Sequence, residues 1–283
     1  MVMLRVLSAA AALTVAAFGV AWASSEAKHP EEYRFSFESP TGSYDMAAVQ
    51  RGFQVYNQVC SNCHSMDHLA YRHLGEEGGP FALYMVRNHE TGEMEPHVGR
   101  PEHGGTFVEV TDNPYIRAIA SSHMITDIDP TSGQPTDRPG RISDHFRRPF
   151  PNEIAARASN GGAAPPDLSV INSARHGGAR YVRSLLMGFT GESEGTLHYN
   201  PYFPGGRLAM APPLADGAVP YADPETPQTV EQYATDVATF LQWSADPHME
   251  TRKRMGLVVL AFLIVLAGLL YLSYKQVWRG ESH

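Results

Sequence analysis

The stretch Cys60-Ser61-Asn62-Cys63-His64 decides how this chain is read. A Cys-x-x-Cys-His run is the attachment signature of a c-type haem, and the spacing follows from the chemistry. Two thiols add across the two vinyl groups of one haem. The histidine that follows is then held beneath the iron and supplies one axial nitrogen. The competing readings are a chance match, a thioredoxin-like redox pair and half of a zinc site. A structural zinc takes about four ligands, and the chain has 2 cysteines, which excludes a cysteine-rich site. A redox pair needs no adjacent histidine and belongs with a βαβ pattern, which the sequence around residue 60 does not show. With both cysteines given to haem, no disulfide is available to the fold.

Working outward, Asp45 precedes a stretch in which Val49, Phe53 and Tyr56 share one helical face. That helix runs into Cys60 and presents the attachment site on its last turn. Ahead of it, Tyr33, Phe35 and Phe37 alternate with polar residues between Pro30 and Pro40, which reads as an extended arm laid on a surface. After the motif, residues 65–74 form a short connection. Residues 75–145 are rich in Gly, Pro, Thr and Asp, with helical periodicity only near 113–122. Long irregular stretches of this kind are commonly functional or mobile. His89, His97, His103, His123 and His145 fall here, and scattered histidines in polar loops are ordinarily exposed side chains rather than metal ligands. Short helices are expected over 152–160, 166–175 and 180–189, and a loop over 190–225. A clear helix is expected over 228–244, starting at Thr226-Pro227 with proline in the first position. A polar hinge is expected at 248–254.

A haem held through His64 leaves the other iron face open. A closed six-coordinate site shuttles electrons, whereas an open one binds gases or peroxide, so the second ligand decides the function class. Methionine is a usual choice and raises the potential. Met210 stands in Gly205-Gly206-Arg207-Leu208-Ala209-Met210-Ala211-Pro212-Pro213. Small residues there allow close approach of backbone to a ring, and two prolines stiffen the loop before any ligand binds. A lone methionine is also a common core filler, as Met187 in Leu185-Leu186-Met187 reads, and spacing alone leaves that alternative open for Met210.

The ends of the chain carry apolar segments. Residues 1–23 read as a secretory signal, with Arg5, an apolar run from Val6 to Val20, and Ala21-Trp22-Ala23 as a small-x-small cleavage site. Residues 255–274 are apolar and uncharged, long enough for one transmembrane helix, with Tyr271, Tyr274 and Trp278 at its end. Lys and Arg flank both ends, so the exported N-terminus sets the orientation. The expected organisation is a signal at 1–23, an exported haem domain at 24–251, an anchor helix at 252–274 and a cytoplasmic tail at 275–283. The signal is short for a mitochondrial presequence, which favours a bacterial inner membrane with the haem domain on the periplasmic side. Residues 24–251 hold 16 Lys and Arg against 29 Asp and Glu, a formal net charge of −13. Such a head repels nucleic acid and attracts basic partners, with rates that fall as salt rises.

Several stretches resemble the cytochrome c1 family: Arg51-Gly52-Phe53-Gln54-Val55-Tyr56 through the haem motif to Met66, Pro165-Pro166-Asp167-Leu168-Ser169, Ala174-Arg175-His176-Gly177-Gly178, Asn200-Pro201-Tyr202-Phe203-Pro204-Gly205 through Met210-Ala211-Pro212-Pro213, and Arg252-Lys253-Arg254-Met255-Gly256-Leu257. The resemblance covers most of residues 40–280 in order. Residues 76–112 depart from the family pattern and read as an insertion. The resemblance implies a mainly α, cytochrome c-like haem domain with long loops and one C-terminal transmembrane helix. It implies one haem c, attached through Cys60 and Cys63, with His64 and Met210 as axial ligands. It places Arg175 and Tyr181 at the propionates, where a guanidinium pairs a carboxylate with two hydrogen bonds. It lines the pocket with Asn160, Pro165, Pro166, Leu168, Phe203 and Leu208.

The same resemblance implies a one-electron carrier in a dimeric quinol–cytochrome c reductase (cytochrome bc1) complex. The partners would be cytochrome b, the Rieske iron–sulphur protein, a basic cytochrome c and membrane lipid. The chain would have no independent substrate site. The alternatives are a membrane-anchored cytochrome c serving a terminal oxidase or nitric oxide reductase, and a haem enzyme or gas sensor with an open iron face.

Overall fold

The computed structural model describes residues 27–101 and 104–280. The expected signal at 1–23 lies outside them, as do the last residues of the expected tail.

Helix α1 spans Met46–Gln58, and its N-terminus is fixed by Asp45, whose side chain accepts from the Ala47 and Ala48 amides. The face legible in the sequence is the buried one: Val49, Phe53 and Tyr56 are all in the core. The helix ends at Gln58, so the haem motif sits on a separate 3₁₀ turn, Cys60–Asn62, rather than on the last α-turn.

The main partner of α1 is a helix 172 residues or more away in sequence, α7, Val230–Ala245, with α6, Gly178–Met187, packed on its other side. Burial from both sides explains why Phe240 and Trp243 are as enclosed as Val237 and Leu241. The crossing of α1 and α7 is close: a Cβ on Gly52 would stand 2.0 Å from the Asp236 carbonyl oxygen. Beside it, Asp236 is fully buried and accepts from Arg51 Nε and Nη2, each at 2.9 Å, and from the Tyr221 hydroxyl at 2.8 Å. Phe53 joins Phe81, Phe146 and Phe240 at ring separations of 5.4, 6.0 and 5.7 Å, in the edge-to-face range that aromatic pairs favour.

Two expected boundaries move. α7 begins at Val230 rather than at Pro227, because Thr229 caps it: its hydroxyl accepts from the Gln232 amide. The helix expected at 166–175 shrinks to α5, Ile171–Ala174. Asp167 does not cap a helix there, because its carboxylate is turned to Ser65 and Asp67. The remaining short helices are α2, Tyr71–Gly75, α3, Pro114–Ser121, and α4, Glu153–Ser159.

The fold is mainly α, but small antiparallel sheets occupy loops in which the sequence predicts irregular chain. Strands β1 (Leu83–Arg87), β2 (Met94–Val98) and β3 (Thr106–Val108) form a sheet of order β2-β1-β3. Strands β4 (Met124–Ile128) and β5 (Pro135–Pro139) pair as a hairpin, with Met124 opposite Pro139. The third sheet joins β6 (Ser193–Glu194), β7 (Leu197–Tyr199) and β8 (Arg207–Leu208).

The arm shows the alternating burial that its sequence predicts, although residues 36–41 form turns rather than extended chain: Phe35 and Phe37 are buried and their rings stack at 4.9 Å. It ends against helix α8, Met249–Val277. The polar hinge expected at 248–254 is instead the first turns of α8. Lys253 donates to the carbonyls of Phe37, Ser39 and Gly42, and Glu250 accepts from the Tyr44 amide, which stitches arm to helix. At ~1.5 Å per residue the 29 residues of α8 exceed the ~30 Å of a bilayer core. Its 18-residue apolar window has a mean hydropathy of 2.8 and no buried residue. Among the described residues it is the one helix long and apolar enough to cross a membrane.

Candidate haem-binding site

The amides of Cys63 and His64 both donate to the Cys60 carbonyl, at 3.1 and 2.9 Å. This single tight turn carries both thiols and the imidazole. Cys60 is half-buried and Cys63 exposed, and neither is in a disulfide. Desolvation pushes the Cys60 thiol up to about 12.

The His64 ring is oriented by a residue from another part of the chain. Its Nδ1 lies 2.8 Å from the Pro166 carbonyl oxygen. A carbonyl only accepts, so Nδ1 carries the proton and Nε2 keeps its lone pair. Burial lowers the His64 pKa, while the Pro166 carbonyl and the Asp167 charge act in the opposite direction. A neutral imidazole with a free Nε2 is the form that binds iron.

Two supports are not foreseen from sequence. The Tyr56 hydroxyl donates to the His64 carbonyl at 3.2 Å. Asp167 accepts from the Ser65 hydroxyl at 2.8 Å, the Asp67 amide at 2.7 Å and the Ser169 amide at 2.8 Å. These bonds hold its pKa below the usual carboxylate range, against the opposing effect of burial. The signal is present as Pro165-Pro166-Asp167: a rigid pair delivering a carboxylate, with Ser169 two residues on to close an Asx turn.

Apart from Asn160, the predicted pocket residues fall into three groups. Pro165, Pro166 and Leu168 come to the motif loop: the Leu168 amide donates to the Ser65 carbonyl at 2.9 Å. Pro165 shares with Cys63 and Arg148 a cleft of about 220 Å³. Arg175 and Tyr181 form a second group. Arg175 is exposed beyond α5, Tyr181 is half-buried on α6, and the Arg175 charge acts on the Tyr181 phenol, whose pKa burial raises.

Phe203, Leu208 and Met210 form the third group, around the β7–β8 turn. Leu208 is buried, while Phe203 and Met210 are half-buried. This turn is tied to α6 rather than to the motif loop, through Asn200, which donates to the Leu185 carbonyl at 2.7 Å. Gly205 and Gly206, with φ of 81° and 74°, make the bend that side-chain-bearing residues resist. Asn160 caps the end of α4, its side chain donating to the Ala156 carbonyl at 2.7 Å. No group of His, Cys, Asp and Glu able to hold a metal ion occurs among the described residues.

The donor set fits a covalent haem c. Two undisulfided thiols and an imidazole with its Nε2 free share one turn, and a soft thioether stands on a glycine-bent loop elsewhere. Fold and site together define a membrane-anchored protein: a mainly α haem-attachment domain carried on one long apolar helix.

Residues 35–281 match the model of the Cytochrome C1 family, and the chain belongs to that family. Membership implies covalently bound haem c and a role in electron transport. The chain is 40% identical over 302 residues to the cytochrome b/c1 protein of Bradyrhizobium diazoefficiens, covering 98% of this chain and 39% of that protein. It is 39% identical over 262 residues to the mitochondrial cytochrome c1 haem protein of Saccharomyces cerevisiae, covering 89% and 73%. It is 39% identical over 252 residues to the mitochondrial cytochrome b-c1 complex catalytic subunit of Candida albicans, covering 87% and 75%.

Proposed function

We propose that this chain is the haem c subunit of a quinol–cytochrome c reductase complex. It accepts one electron from the Rieske iron–sulphur protein and passes it to a basic cytochrome c. The observation that carries the reading is the His64–Pro166 contact beside two undisulfided cysteines, in a chain that matches the family over residues 35–281. Bound haem c supplies a one-electron iron couple. Cys60 and Cys63 hold it by two thioethers, His64 offers Nε2 and Met210 its sulfur. With His64 and Met210 both holding the group, no open position would remain for a gas or peroxide. Arg175 and Tyr181 pair with the propionates. Asn160, Pro165, Pro166, Leu168, Phe203 and Leu208 wall the pocket and exclude water.

The chain has no substrate site of its own in this reading, and quinol is oxidised on partner subunits. Residues 1–23 are an export signal, 24–251 the periplasmic haem domain, 252–274 the anchor in the bacterial inner membrane and 275–283 the cytoplasmic tail. The whole works within a dimeric complex with cytochrome b. A C-terminally tagged chain, isolated in mild detergent, tests this. Haem b accompanying haem c at about two to one is expected. Haem c alone, from a preparation in which the complex is shown to be intact, would leave an anchored cytochrome c serving an oxidase or nitric oxide reductase.

A further inference from the structure

A cleft larger than the one beside the haem motif lies elsewhere in the molecule. It lies where the head meets α8, with a volume of about 750 Å³, within the range of small-molecule sites. Thr41 and Ser43 of the arm form one wall, Tyr84 and Arg100 of the 76–112 segment a second, and Arg254 and Leu257 of α8 a third.

Three cations line this cleft, Arg100, Lys253 and Arg254, against two carboxylates, Glu77 and Glu250. Lys253 is occupied by the three carbonyls of the arm. Arg100 is paired with Glu250, whose other oxygen accepts from the Tyr44 amide. Arg254 is exposed and has neither an ion pair nor a side-chain hydrogen bond among the described residues. The cleft therefore holds one cation more than it neutralises, and that cation stands one residue before the apolar run. Leu257 belongs to the run itself, so this wall continues onto the exposed apolar face of α8.

We propose that the cleft binds one anionic phospholipid. Its phosphate sits on Arg254 and Arg100, and its acyl chains run along α8 from Leu257. A phosphodiester supplies the single negative charge that the cleft lacks, in a form that guanidinium groups recognise with paired hydrogen bonds. The apolar wall at Leu257 favours a lipid over free phosphate. The 76–112 segment thereby gains a role, since β1 brings Tyr84, and the turn after β2 brings Arg100, to the membrane surface. The proposal rests on the reading that α8 spans the bilayer.

The test places a photoreactive benzoylphenylalanine at Thr251, an exposed cleft residue, in the full chain within its complex. The complex is reconstituted in vesicles of phosphatidylglycerol and phosphatidylcholine, irradiated and analysed by mass. Phosphatidylglycerol adducts should exceed phosphatidylcholine adducts by about tenfold at equal abundance, and Arg100→Gln with Arg254→Gln should remove that preference. Equal labelling of the two lipids overturns the proposal, as does a polypeptide adduct or abolition of the preference by inorganic phosphate. The vesicle comparison leaves Arg100 and Arg254 intact, so it stands even where the double variant does not assemble. Alkaline extraction separates the two readings: a chain released from membranes refutes the span, whereas a retained chain without lipid preference refutes only the site.

Discussion

His64 and Pro166 are 102 residues apart in sequence, yet the imidazole Nδ1 and the proline carbonyl oxygen stand 2.8 Å apart. The contact fixes which ring nitrogen carries the proton and which keeps its lone pair. It is held by Asp167, whose carboxylate gathers Ser65, Asp67 and Ser169 around the motif loop. Removing that carboxylate leaves part-buried donors without an acceptor, at about 1–3 kcal/mol. Asp167→Ala should lower stability by that amount in denaturant titrations of the holoprotein. Its charge also acts on His64, so the haem midpoint potential should rise. Asp167→Asn keeps an acceptor oxygen and should lose less stability while showing the same upward shift. A potential unchanged in both variants would reduce Asp167 to a packing role.

Met210 gives a sharper test of ligation. In the native protein a thioether-closed iron should bind carbon monoxide poorly. Met210→Leu should open that face and lower the potential by on the order of 0.2 V, a fraction of the ~0.8 V that axial ligands command. Redox titration and a carbon monoxide difference spectrum read both effects. An unaltered potential removes Met210 from the site.

The α1–α7 crossing admits no side chain at residue 52, where an added Cβ would meet the Asp236 backbone. Helix backbone cannot give way as a flexible side chain does. Gly52→Ala should therefore cost about 3 kcal/mol, the upper end of the usual range for overpacking, seen as a lowered denaturant midpoint. A cost below about 0.5 kcal/mol, the usual scatter of surface substitutions, would contradict this packing.

Acid should loosen the β4–β5 hairpin in an identifiable window. Arg138 donates to Asp127 at 2.7 Å and to both oxygens of Asp144 at 2.6 and 3.0 Å. Through these bonds it holds both carboxyls below the usual range. As pH falls, the unfolded segment takes up protons first, near ~3.9. The contribution is complete above that value and is lost as pH drops through the lower folded pKa values. Hydrogen exchange across 124–144 should accelerate in this window, and Arg138→Gln should flatten the dependence.

The acidic head predicts a salt dependence. Residues 24–251 carry a formal charge of −13, and screening at ~0.15 M salt cuts the field beyond about 8 Å. The rate of reduction of a basic cytochrome c, measured at limiting concentration, should fall steadily with ionic strength. A flat profile would show that the head does not steer its acceptor.

The parts legible in the sequence are those with strong local signals. Cys-x-x-Cys-His names its own chemistry, and Val49, Phe53 and Tyr56 declare the buried face of α1 through their period. The apolar run at 255–274 declares the anchor, although α8 starts at Met249, because Glu250 and Lys253 find partners on the arm and extend the helix through a polar stretch. The sheets between residues 83 and 139 are not legible. Their strands are short and largely exposed, and they contain Pro96, Pro135 and Pro139, so neither alternation nor composition marks them. Asp167 reads locally as a helix starter, and the sequence hides its true partners because they lie about a hundred residues back in the chain. Which residues gather around Met210 is likewise a property of tertiary structure, and the resemblance rather than the spacing singles it out.

The most direct measurement mixes oxidised, purified complex containing this chain with excess quinol and follows the c-type haem band by stopped flow. The account predicts reduction of haem c within the turnover time of the complex, followed by reoxidation when cytochrome c is added. A haem c that stays oxidised while haem b becomes reduced would contradict it, because this chain would then lie outside the electron path.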